Sequence, residues 1–224
     1  MTLFDTFFNA AVFTAAVPAL LRGFVNTLML GLLAIVLGVP AGLLCSLFRL
    51  YAPPPVRWLA TGFIDIFRAV PVLVVLILIY YALPFAGVRL SALASATLAF
   101  TLVMSAYSAE VFRAGIESIP KGQFEAAQAL GLPFTISLRK VILPQAIKLV
   151  IPPTTSNCVS MFKDTSLASV VALPELLKEA NDAQALYANP TPLIGAALIY
   201  VAFLWPLVRL VNYAERWSKR ASTR

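Results

Sequence analysis

Long apolar runs parted by short polar breaks set the plan of this chain. Five of them, over residues 20–50, 58–84, 90–111, 144–173 and 191–211, are long enough at 1.5 Å per residue to cross a hydrocarbon core of about 30 Å as helices. The pattern predicts an all-α integral membrane protein with about five transmembrane helices. Ahead of the first run, Phe4, Phe7, Phe8 and Val12 recur at helical spacing, which predicts an outer interfacial helix within 1–19. The segment carries Asp5 and no basic residue before Arg22, so it lacks the positive start of a cleavable signal peptide. Glycines in the first run, Gly31, Gly38 and Gly42, are read as points of close helix approach.

The longest polar break, Lys121 to Pro144, is rich in small residues and holds a helical block over 123–131, bracketed by Gly122 and Gly131. Good helix formers fill it, Glu125 is expected in its first turn, and Gly131 before Leu132-Pro133 is a stop signal that calls for a left-handed C-cap. At roughly 12 Å such a helix is far too short to span, so it is expected to lie along the membrane surface.

Polar residues inside the apolar runs carry the candidate chemistry, because lipid solvates none of them. Asp65 and Arg68 share a helix face and read either as a mutual ion pair near the rim or as part of a pore. Lys163 and Asp164 fall in the outer half of the bilayer and read either as a locking ion pair or, with Thr165 and Ser166, as the flank of a pathway. Asn157 and Ser160 sit on the same stretch, just after the Pro152-Pro153 break. Together they offer an acceptor for an ammonium group and donors for a carboxylate. Glu110 is either a further cation partner or the mate of Arg113 one turn on.

Charge sets the orientation. Arg49, Arg57, Arg113, Lys121, Arg139, Lys140, Arg216, Lys219, Arg220 and Arg224 share one side of the five-span plan, against Arg22, Arg89 and Lys178 on the other. The positive-inside rule then puts the N-terminus outside and the C-terminus, with the 121–144 break, in the cytoplasm. Composition agrees with the plan: 60% of residues are hydrophobic, 12% are charged, and the mean hydropathy is +0.87. The net charge of +7 lies between spans and not on an aromatic-basic face, which argues against nucleic acid as a partner. The chain has no histidine, and Cys45 and Cys158 form no CxxC, so neither a metal site nor a disulfide framework is expected. No nucleophile-base constellation stands out, so the chain reads as a transport subunit and not an enzyme.

Glu125-Ala126-Ala127, Gly131 four residues later and the distal Ile142-Leu143-Pro144 resemble the EAA signature of ABC-importer membrane subunits. Tyr107-Ser108-Ala109-Glu110, Arg113-Ala114-Gly115, Lys121-Gly122-Gln123 and Lys163-Asp164-Thr165-Ser166 extend the resemblance, over roughly 20–215, to the polar amino acid uptake group of these permeases. Ala69 departs from the glycine common in that group. The resemblance implies a type I importer permease of the bacterial inner membrane, in which 123–131 is the cytoplasmic coupling helix and Gly122, Gln123, Glu125, Ala126, Ala127 and Gly131 meet the ATPase. It also implies an ABC ATPase dimer that binds ATP and Mg, a second permease subunit (a copy or a paralogue) and an extracytoplasmic solute-binding protein. No phosphate-binding loop occurs in this chain, so no cofactor is expected in it. The alternative is a self-contained secondary transporter or channel, which would be expected to show internal repeats; none is visible.

Overall fold

The computed structural model describes residues 6–222, with side chains described through 211 and at 213. Phe4, Asp5 and Arg224, and the side chains of Arg216, Lys219 and Arg220, therefore lie outside the described part. Among the described residues there is no β-strand. The helices in chain order are α1 (Ala10–Tyr51), α2 (Pro54–Ala69), α3 (Val72–Ile77), α4 (Ala92–Glu117), α5 (Lys121–Ala129), α6 (Phe134–Ser137), α7 (Leu143–Asp164), α8 (Leu176–Tyr187) and α9 (Thr191–Ser222). A π-helical turn (Leu78–Ala82) and a 3₁₀ turn (Leu83–Ala86) extend α3, a π-helical turn (Leu138–Ile142) joins α6 to α7, and a 3₁₀ turn (Thr165–Val171) follows α7.

Three boundaries differ from the sequence expectation. Residues 10–19 are not a separate interfacial helix but the first turns of α1, which runs unbroken for 42 residues, about 63 Å. Asn9 sets its start: the Asn9 side-chain Oδ1 accepts from the Val12 N–H at 3.1 Å. The second span is not one helix over 58–84. It breaks before Pro71, with α2 ending at Ala69 and α3 beginning at Val72, because the ring lacks an N–H and crowds the preceding turn. The fourth run is helical only to Asp164 and then tightens into the 3₁₀ turn.

Among the described residues, three helices qualify by length and apolarity to cross a membrane, α1, α4 and residues 191–211 of α9, and the bent α2/α3 pair makes a fourth if it counts as one span. The 22-residue α7 is long enough, but polar residues such as Lys148, Thr154 and Asn157 keep it from the same apolarity.

The chain divides into two compact units. The first comprises residues 1–36, 70–101 and 158–208. Its core joins Ala16 and Leu20 of α1 to Leu176, Ala180 and Ala183 of α8 and Ala196 of α9. Gly31 is required here, since a Cβ would stand 2.4 Å from the Phe162 ring. Alanines in the left-handed region end two elements of this unit: Ala172 (φ 57°) after the 3₁₀ turn and Ala188 (φ 46°) after α8. The second unit comprises residues 37–69, 102–157 and 209–224. Ile116, Ile119, Ile142 and Ala146 form its buried cluster, with Leu47, Leu50, Phe124 and Leu138 packed against it. At Gly42 a Cβ would lie 2.6 Å from Ser108 Cβ and 2.7 Å from the Ser105 carbonyl oxygen, so α1 and α4 touch backbone to backbone.

Gly42→Val is expected to destabilise the protein by about 1–3 kcal/mol, because the clash is with backbone that cannot move aside. Gly62→Ala is the control, since nothing lies within 4 Å of a Cβ there. Thermal unfolding of the purified protein in detergent checks both. Equal midpoints for Gly42→Val and wild type would refute the close-approach account.

Candidate coupling helix and substrate pathway

The surface helix forms where its sequence calls for it, shifted two residues towards the N-terminus of the expected 123–131. Pro120 precedes α5 and Gln123 N–H bonds back to the Pro120 carbonyl at 2.9 Å, so the helix begins at Lys121. Glu125 is therefore not in the first turn, and the helix-dipole argument made for it does not apply. The C-terminal end follows the Schellman pattern: Leu132 N–H reaches the Ala127 carbonyl at 3.1 Å, Gly131 N–H reaches Gln128 at 2.9 Å, and Gly131 takes φ 70°. No atom lies within 4 Å of a Cβ built on Gly131.

Of the candidate coupling residues only Ala127 is buried, and Gly122, Gln123, Glu125, Ala126 and Gly131 are exposed. Ala127 and the half-buried Phe124 thus seat the helix, and the opposite face is left uncovered. Two further contacts hold the loop within the second unit. Gln145 Nε2 donates to Gln123 Oε1 at 3.3 Å, and the rings of Tyr51 and Phe134 meet edge to face with centroids 5.0 Å apart.

Glu110, in the same unit, lies at the centre of a cation cluster. Its carboxylate accepts from Arg113 Nε at 3.1 Å, and lies 3.3 Å from Arg49 Nη1 and 3.4 Å from Arg68 Nη1. Arg113 also pairs with Glu117, and Arg49 with Asp65 at 3.6 Å. Glu110 thus meets Arg113, one of the two partners considered for it, together with Arg49 and Arg68. The mutual Asp65–Arg68 pair does not form, because each finds an opposite charge on another helix. Beside the cluster is a cavity of 540 Å³, lined by Glu110, Ala114, Gly115, Val150 and Pro153 among others.

The other pathway candidates lie along α7 and its 3₁₀ extension. Ser160 and Lys163 are exposed, Asn157, Asp164 and Ser166 are half-buried, and Thr165 is fully buried. Among the described residues Lys163 and Asp164 form no direct ion pair with each other. Thr165 and Ser166 hydroxyls donate to the carbonyls of Phe162 and Lys163, at 2.7 and 2.8 Å, and shape the turn. Glu110 belongs to the second unit and Ser160 to Ser166 to the first.

Sequence reasoning missed a fully buried carboxylate in the first unit. Glu175 caps α8, accepting from the N–H groups of Leu177 at 2.8 Å and Lys178 at 2.7 Å, and Tyr200 O–H donates to it at 3.3 Å. Burial pushes its carboxyl up to about 7, against the opposing pull of those donors. Pro174-Glu175 ahead of an amphipathic stretch was the available sign of a helix start, but nothing marked Tyr200, 25 residues on, as its partner.

Comparison with known proteins places these features. Residues 34–220 match the family described as "Binding-protein-dependent transport system inner membrane component". The probable glutamine ABC transporter permease GlnM of Bacillus subtilis is 35% identical over 87% of this chain and 90% of its own length. The L-cystine transport system permease TcyB of the same organism is 37% identical over 87% and 85%. Among solved structures, a chain of an amino acid ABC transporter crystallised with histidines superposes with a TM-score of 0.84 at 33% identity, covering 91% of this chain and 95% of that one. A chain of the MetNI methionine transporter, at 19% identity and a TM-score of 0.69, shares the fold. A single ABC-permease fold thus carries the exposed, glycine-capped helix and the apolar helices around it, and the chain belongs to the family of binding-protein-dependent transport system inner membrane components, as a permease subunit of an ABC importer.

Proposed function

We propose that this permease carries a polar amino acid, handed over by a solute-binding protein, and that α5 couples its movement to ATP hydrolysis by a separate ATPase dimer that binds ATP and Mg. A second permease subunit completes the membrane core, with the N-terminus outside and the C-terminus in the cytoplasm. The observation that carries the reading is the state of α5: a helix seated by Ala127, stopped by a left-handed glycine, and bare on the face that holds Glu125 and Ala126. A short helix exposed on one side but fixed at its end and root has the form of a part that fits a cleft. The amino acid assignment is supported by relatives named for glutamine and L-cystine transport and by the run Asn157, Ser160, Asp164, Thr165. These residues offer hydroxyl and amide donors together with one carboxylate, a set that suits a zwitterion.

Closure of the ATPase around α5 would be felt by α4 and α7, since Ile116 and Ile119 before the loop and Ile142 and Ala146 after it share one buried cluster. Polar side chains on α7 give a substrate a wetted surface, and the Pro152-Pro153 step leaves backbone carbonyls there without their helical donors.

Three outcomes test this reading. Gly131→Asp has open space for its side chain but pays the left-handed strain, about 1 kcal/mol; it is expected to leave membrane insertion intact and to abolish uptake, with loss of substrate-stimulated ATP hydrolysis. Glu125→Ala should show the same defect more mildly. Normal uptake and stimulated hydrolysis in Gly131→Asp would remove α5 from the coupling role. Asp164→Ala and Asn157→Ala are expected to lower uptake in complexes that still assemble, and normal rates in both would show that the pathway lies elsewhere. A reporter fused after Arg224 should be cytoplasmic and one at Met1 extracytoplasmic; both on one side would break the five-crossing plan.

A further inference from the structure

Asp65 and Arg68 stand one helical turn apart on α2 and are tied to the second unit by charge alone. Arg68 Nη1 lies 3.4 Å from Glu110 Oε2, and Asp65 Oδ1 lies 3.6 Å from Arg49 Nη1. Among the described residues, neither head group makes a hydrogen bond to the protein. Glu110 Oε2 is already taken, since it accepts from Arg113 Nε at 3.1 Å and from Arg49 Nη1 at 3.3 Å and a carboxylate oxygen has two lone pairs. The 3.6 Å contact of Asp65 is too long for a hydrogen bond. The guanidinium of Arg68 therefore keeps its fork of donors, and the carboxylate of Asp65 its acceptors. Both side chains are uncovered, 39% and 58% exposed, and lipid solvates neither.

A cavity adjoins these open groups. Glu110, which Arg68 touches, lines the 540 Å³ space between α4 and α7, within the range of ~300–1,000 Å³ common for small-molecule sites. Its other walls include Ala114 and Ser118 of α4 and Leu149, Val150 and Pro153 of α7. They ask little of a polar ligand, since the Ser118 hydroxyl is turned to the Gly115 carbonyl at 2.7 Å. The space thus has a charged end at Glu110 and an apolar body.

We propose that Asp65 and Arg68 bind the two charged groups common to α-amino acids, the ammonium on Asp65 and the carboxylate on Arg68, with the side chain in the cavity beside Glu110. This deepens the reading that the permease carries a polar amino acid, rests on it, and adds a second station to the run Asn157, Ser160, Asp164, Thr165. Side chains at i and i+3 have Cβ atoms about 5–6 Å apart, and the ammonium and carboxylate of an α-amino acid flank a single carbon, so one ligand reaches both. Had Asp65 and Arg68 paired with each other, neither would be open. The cluster is balanced, with Arg49, Arg68 and Arg113 against Asp65, Glu110 and Glu117. The two main-chain charges of the ligand cancel, so they enter without leaving an unpaired charge in a poorly solvated place. The station also lies where movement of α5 is felt. A Cβ on Gly115 would stand 2.2 Å from Val150 Cγ1, so α4 and α7 touch at the cavity wall, and these are the helices that α5 joins. A shift of α5 changes their spacing and with it the hold on the ligand.

The test uses the permease with its ATPase in phosphatidylcholine nanodiscs, with Cys45→Ala and Cys158→Ala and a single cysteine placed in the cavity by Ser118→Cys or, in a second preparation, Ala114→Cys. Labelling by a water-soluble maleimide reads whether the cavity is wet, and slowing of that labelling by L-glutamine reads its occupancy. Glutamine serves as the probe whichever amino acid is carried, because Asp65 and Arg68 meet only main-chain groups. Both cysteines should be labelled, and glutamine should slow both. In Arg68→Gln and in Asp65→Asn the glutamine concentration for half protection should rise about tenfold, the effect of one charged hydrogen bond, with a smaller rise in Arg68→Lys. Labelling without glutamine should keep its rate in these variants, which a collapsed cavity would not allow. 4-Aminobutanamide, which is glutamine without its carboxylate, and N-acetyl-L-glutamine, which lacks the ammonium, should protect about tenfold less well. The station is overturned by absence of labelling at both positions, by labelling that glutamine does not slow, by equal protection from the two analogues, or by unchanged protection in both Arg68→Gln and Asp65→Asn. Protection by phosphatidylethanolamine added to the disc, and not by glutamine, would assign the charges to a lipid headgroup and overturn it as well. Uptake by the whole importer in liposomes, with its solute-binding protein and each polar amino acid in turn, separates the two levels. Uptake without protection removes this station and spares the amino acid reading, whereas no uptake of any of them removes the reading on which the station rests.

Discussion

Lipid offers a polar group nothing to bond to, and the internal arrangement of this permease follows from that fact. Glu110 draws three guanidinium groups, one from its own helix and two from helices distant in sequence, because none of the four charges can be left alone at a half-buried rim. The same demand pulls Asp65 to Arg49 and prevents the simpler i, i+3 pair with Arg68. It also brings the Tyr200 phenol to the buried Glu175 carboxylate. Apolar packing then completes what the polar contacts start, through glycines that let α1 approach Phe162 in one unit and the α4 backbone in the other.

The proposed coupling role of α5 depends on a contrast. Residues near α5 are tied down: Phe124 and Ala127 are packed, Gln123 is bonded to Gln145, and the C-terminal turn is closed by two backbone bonds. The outer face of the same helix carries side chains with nothing over them. Rigidity below and exposure above are what a mechanical contact needs, since a loose helix would absorb a push that a seated one hands on to α4 and α7.

Local chemistry made much of this legible in the sequence. Apolar runs announced the helices, and Gly131 before Leu132-Pro133 announced the left-handed cap, because each signal lies within a few residues of its effect. Pro71 carried its signal too, yet the bend was missed: a proline in a long apolar run reads equally as a tolerated kink or a break, and packing decides. The Glu110 cluster was half readable. Arg113 is one turn away, whereas Arg49 lies 61 residues upstream and Arg68 on another helix. Glu175 and Tyr200 were hidden for the same reason, as tertiary pairs with no periodicity to betray them. The start of α1 turned on Asn9, a single capping side chain inside a stretch whose phenylalanines drew attention to the membrane surface.

Ala172 and Ala188 have a consequence of a different kind. Both hold a left-handed backbone that glycine would adopt without strain and alanine adopts at a cost of about 1 kcal/mol. They stand at the two corners that bracket α8, so the connector bearing Glu175 is bent at each end by residues that resist bending. A methyl group at each corner also narrows the range of shapes open to the unfolded or partly opened chain. The connector is thereby stiffer than a glycine-hinged loop and has fewer intermediate shapes. If it moves during transport, it will tend to move as one piece, with its corners released together or not at all.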